Sequence, residues 1–106
     1  MELPKTIRVG YRDISVEGWE PLDASGQSKF GMFSSLQGVI RVRSDLPPQE
    51  LANTLLHEVL HAAHFVGGMQ GGEKEEEDTV IILSNVLCQV WRDNPEFVAF
   101  MSEAVR

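Results

Sequence analysis

The feature that most constrains this chain is a run of apolar residues at helical spacing, closed at both ends by helix-breaking signals. Leu51, Leu55, Val59, Ala62 and Val66 recur every three or four residues, and Leu56, Leu60 and Ala63 widen the stripe. A period of 3.6 places them on one side of a helix, which must then be buried against something else. Ser44-Asp45-Leu46-Pro47-Pro48 offers capping candidates followed by prolines suited to a first turn. Gly67-Gly68 offers a left-handed stop. The spacing predicts a helix from about Pro48 to Val66.

What that helix packs against comes from the preceding residues. Thr6, Ile7, Val9 and Tyr11 mix β-branched and aromatic residues with Arg8 and Arg12, and Ile14 and Val16 continue the alternation. Glu17-Gly18 and Glu20-Pro21 interrupt it, and Asp23 to Ser28 has the composition of a loop. Phe30 to Phe33 and Val39 to Val42 suggest two short strands around Ser34-Ser35-Leu36-Gln37-Gly38, a hairpin with a longer loop. Three or four short, mostly antiparallel strands are expected.

After the first helix, four glycines between Gly67 and Gly72 cannot stay helical. A second helix is expected to open in Glu73-Lys74-Glu75-Glu76-Glu77-Asp78, where carboxylates suit the positive end of the helix dipole. It should run to about Arg92, with Val80, Leu83, Leu87, Val90 and Trp91 at core spacing, and end at Asn94-Pro95. Glu96 to Val105 is expected as a short terminal helix with Phe97, Phe100 and Met101 facing inward. The expected fold class is therefore α+β: a small sheet packed on one helix, a second helix, and a short C-terminal one. Residues 1–106 are expected to form one domain, with a strand-rich half at 1–43 and a helical half at 44–106.

Composition narrows the functional classes. The chain has 106 residues, the usual size of one domain, and sixteen acidic against nine basic residues give a net charge of −7. The few cations are not clustered, so a phosphate backbone would be repelled and nucleic acid is not an expected partner. The single cysteine, Cys88, excludes an internal disulfide framework and a Cys-rich zinc knuckle. An unpaired thiol fits a reducing compartment. The N-terminus lacks the basic-then-apolar run of a secretory signal, and apolar runs such as Val80 to Leu83 are too short to span a bilayer. A soluble cytoplasmic protein without membrane association is expected.

The chemistry is concentrated in His57-Glu58-Val59-Leu60-His61. Two histidines four apart leave one helix face a turn apart, so both rings can reach one Zn²⁺ at about 2.0–2.1 Å. Glu58 lies roughly 100° round the helix from His57, beside such an ion and placed to take a proton from water. The histidines occupy the narrow polar sector of an otherwise apolar helix, where two rings and a carboxylate need a partner. A catalytic zinc wants a third protein ligand, and no Cys other than Cys88 and no His beyond His64 remains to provide one. A carboxylate from the second helix is expected. Glu77 is favoured because Val80, Ile81 and Ser84 follow it at helical spacing; Glu76, on the Val80, Leu83, Leu87 stripe, is the close competitor. His64 stands about 10 Å further along the axis than His57, which suits a supporting or surface role better than ligation of the same ion.

These residues resemble the zincin metallopeptidases, in particular the branch with a glutamate as third ligand. Thr54-Leu55-Leu56-His57-Glu58, Glu76-Glu77-Asp78-Thr79-Val80 and Arg92-Asp93-Asn94-Pro95 together look like the very small zincins encoded by bacteriophages and prophages. The resemblance covers about Val39 to Phe97. It implies a minimal zincin core with His57, His61 and Glu77 as metal ligands and Glu58 as catalytic base. The implied activity is zinc-dependent hydrolysis of a peptide or similar amide bond, the substrate held along an edge strand such as Phe30 to Phe33 or Val39 to Val42. The alternative expectation is a catalytically degenerate zincin-fold binding module that holds metal structurally or acts through a protein partner. The acidic surface, and the lack of the long C-terminal half-cleft of large family members, favour that alternative.

Overall fold

The structure, a computed structural model, describes residues 2–20, 30–67 and 72–105. The expected loop from Asp23 to Ser28, most of the glycine loop and the Phe97 side chain lie outside the described residues. Four strands precede three helices: β1 (Thr6–Val9), β2 (Arg12–Trp19), β3 (Gly31–Ser34), β4 (Val39–Arg43), α1 (Pro48–Gly67), α2 (Glu73–Asp93) and α3 (Pro95–Ala104). The fold is α+β.

The strands form one sheet in the order β1-β2-β4-β3. β1 and β2 pair antiparallel through a turn in which Gly10 takes φ +59°, and Ile7 faces Ile14 across them. β3 and β4 form the expected hairpin, with Phe33 opposite Ile40. β2 and β4 pair in parallel, Val16 opposite Ile40 and Gly18 opposite Val42. The sheet is therefore mixed, with two antiparallel pairings and one parallel. Side-chain alternation puts Ile14, Val16, Ile40 and Val42 on one face, all buried. The other face carries the exposed pairs Arg8–Asp13 and Arg41–Glu17.

α1 covers the apolar face. Its Leu51, Leu55 and Val59 pack on Ile14, Ile40 and Val42, with Leu3, Val9 and Phe33 closing the cluster. Each fully buried aliphatic side chain contributes roughly 1.5–3 kcal/mol, so this layer supplies the main driving force for the fold. Pro48 opens the helix where its missing N–H costs nothing, and Pro47 O accepts the Leu51 N–H at 2.8 Å.

α2 starts on Gly72, whose N–H is taken by Glu75 Oε2 at 3.1 Å, and it leans on α1. Among the described α2 side chains, Val80 and Ser84 are the buried ones, at 3% and 1% exposure. The expected α2 core differs in part: Leu83 is exposed at 41% and Trp91 at 59%, whereas Leu87 and Val90 are half-buried. α3 packs on α2, and Phe100 and Met101 are exposed rather than turned inward. Among the described residues, no helix is long and apolar enough to cross a membrane.

Candidate metal centre

α1 presents its histidines toward the start of α2. The His57 and His61 rings lie one turn apart with centroids 4.9 Å apart and planes at 65°, and their Nε2 atoms approach to 3.3 Å. Glu77 closes the group from α2: Oε1 lies 3.0 Å from His57 Nε2 and Oε2 lies 3.1 Å from His61 Nε2. One donor atom from each of the three residues falls within 4.8 Å of the others. A tetrahedral ion with arms of about 2.0 Å has edges of about 3.3 Å, so the spacing of these atoms fits zinc.

The two neighbouring carboxylates are used differently. Successive helix residues point about 100° apart, and Glu76 turns to the opposite edge of the His61 ring. Its Oε2 lies 2.6 Å from His61 Nδ1, and its Oε1 lies 3.2 Å from His64 Nδ1. Of the two carboxylates that the sequence left in competition, Glu77 meets both Nε2 atoms and Glu76 meets the two Nδ1 atoms. His64 reaches Glu76 rather than the His57–His61–Glu77 group.

Glu58 is buried, at 6% exposure, under β3. Gly31 makes that possible: a Cβ there would stand 3.2 Å from Glu58 Oε2 and 2.8 Å from Thr54 Cγ2. No sequence argument singled out Gly31, since a strand-initial glycine carries no marker of what its missing side chain would meet. Burial holds the His57 imidazolium below its ordinary value of 6.5, and the adjacent His61 adds to this, while Glu77 pulls in the other direction. A neutral imidazole is the form that ligates metal.

An open cleft of about 800 Å³ lies over these groups. Its walls include Met32 and Phe33 from β3, Phe30 immediately preceding that strand, and Glu50, Asn53 and Phe65 from α1. Among the described residues, no lysine or arginine lines it. Phe65 is stacked obliquely against Phe33, with ring centroids 6.3 Å apart, and Arg12 lies over its ring. No protein-family model, curated protein or solved structure matches the chain.

Proposed function

We propose that this protein is a zinc-dependent hydrolase of peptide or similar amide bonds, with His57, His61 and Glu77 as metal ligands and Glu58 as general base. The observation that carries the proposal is the meeting of His57 Nε2, His61 Nε2 and the Glu77 carboxylate at 3.0–3.3 Å in an open cleft. Bound zinc would make water nucleophilic near neutral pH and polarise a carbonyl. Glu58 takes the proton of the attacking water and returns it to the leaving amine.

β3 borders the cleft at the edge of the sheet, and among the described residues its strand partner is β4. The side that no described strand pairs can add an extended substrate by main-chain hydrogen bonds, with Phe30 and Met32 as apolar contacts. The lone thiol and the acidic surface fit a cytoplasmic setting and a peptide or protein substrate rather than nucleic acid.

The test is metal analysis and turnover of a mixed peptide library by purified protein and by Glu58→Gln. The proposal expects one zinc per chain in both, with turnover in the variant lower by about 10²–10⁴-fold. Equal turnover in the two proteins removes Glu58 as base. A second reading, a metal-holding binding module, is favoured by the burial of Glu58 beneath β3. Bound zinc with no cleavage by the unaltered protein supports it.

A further inference from the structure

We infer that Glu76, held by His64, is a positioning residue that orients the His61 ring toward the ion; the inference rests on the ligand set proposed above. Imidazole has two nitrogens on opposite edges, and in the neutral ring only one carries hydrogen. An ionised carboxylate can only accept, so the 2.6 Å contact between Glu76 Oε2 and His61 Nδ1 places the hydrogen on Nδ1. Nε2 is then the ring atom left to meet an ion, and it faces His57 at 3.3 Å and the Glu77 carboxylate at 3.1 Å, the two other proposed ligands. Glu76 thereby selects the His61 tautomer and ring orientation that a metal needs.

His64 restrains Glu76 in turn. Its Nδ1 lies 3.2 Å from Oε1, so each oxygen of the carboxylate has its own imidazole partner. His64 follows His61 by three residues, on the same flank of α1, and its side chain is only 14% exposed. With both oxygens engaged, the carboxylate cannot turn without giving up a contact in a partly desolvated site, where such contacts are stronger than in water. The spacing 57, 61, 64 on α1 therefore meets the pair 76, 77 on α2 in two overlapping sets. His57 and His61 face Glu77, and His61 and His64 face Glu76.

The experiment measures zinc affinity of the full chain by competition with a chromogenic chelator, for the unaltered protein and for Glu76→Gln, His64→Gln and Glu77→Gln. Loss of an orienting partner costs about 10–100-fold in metal affinity. Glu76→Gln is expected to fall in that range while still binding one zinc. His64→Gln is expected to lose less, and Glu77→Gln more than either. Unchanged affinity in Glu76→Gln, alongside a large loss in Glu77→Gln, overturns the positioning role and leaves the proposed ligand set standing. Loss of zinc in Glu76→Gln with retention in Glu77→Gln overturns both, since Glu76 would then be the ligand. Nitrogen-15 spectra of the unaltered zinc-free protein provide an independent readout that needs no variant to fold. Hydrogen on His61 Nδ1 is expected, and hydrogen on Nε2 alone overturns the inference.

Discussion

Gly31 lies over Glu58 so closely that the strand and the carboxylate share the space a side chain would occupy. A methyl group at position 31 would come within 2.8 Å of Thr54 Cγ2 and 3.2 Å of Glu58 Oε2. It would also lie 3.1 Å from the carbonyl of Arg41, on the strand paired with β3. The edge strand and the α1 motif are thus in contact through an absent side chain.

Gly31→Ala is expected to force β3 away from α1. Overpacking of this kind costs typically 1–3 kcal/mol, which urea denaturation should register. If Glu58 acts as base, turnover falls by more than the loss of folded protein explains, because the carboxylate moves. A variant as stable as the unaltered protein would show that the strand yields easily.

Metal removal should lower thermal stability. A ligand that binds only the folded state stabilises it by about 2.7 kcal/mol at a hundredfold excess over Kd. For a chain of this size each kcal/mol moves Tm by about 4–8 °C, so a chelator should lower Tm by roughly 10–20 °C. Calorimetry with and without chelator measures it, and Glu77→Gln should show a much smaller difference.

In the zinc-free protein, stability should fall on acidification through His57. Its folded-state value is held below 6.5, first by burial and then by the neighbouring His61. The unfolded chain therefore takes up a proton where the folded chain resists it. The contribution of His57 to stability is complete above pH 6.5 and is lost as pH falls through its lowered value. The urea midpoint should drop as pH falls below about 6.5. The drop should be smaller in His57→Gln.

Substitutions along α2 should rank by burial rather than by size. Val80, 3% exposed, is expected to cost about 1–3 kcal/mol on replacement by alanine. Trp91, 59% exposed, should cost less than about 1 kcal/mol despite its larger side chain. Thermal melts of the two variants decide the order.

That order also shows where a sequence pattern loses its hold. Val80, Leu83, Leu87 and Trp91 share helical spacing, and spacing alone cannot say how wide a contact the helix makes. Among the described α2 side chains the buried ones are Val80 and Ser84, and Ser84 carries no apolar signal at all. The hairpin of β3 and β4, by contrast, was legible because its strands are joined by a short loop. The parallel pairing of β2 with β4 was not, since nothing near either strand marks a partner twenty-four residues away.

At the candidate centre the division falls between neighbouring atoms. His57 and His61 on one face of one helix follow from the 3.6-residue repeat and needed only the chain itself. So did the acidic opening of α2, the boundaries of α1 and the apolar character of the strands, because all depend on residues a few positions apart. The approach of Glu77 to the two Nε2 atoms, of Glu76 to the two Nδ1 atoms, and of Gly31 to Glu58 was decided by tertiary structure. Each depends on how α1 is rotated and shifted against α2 and β3, and that is set by the packing of the whole core.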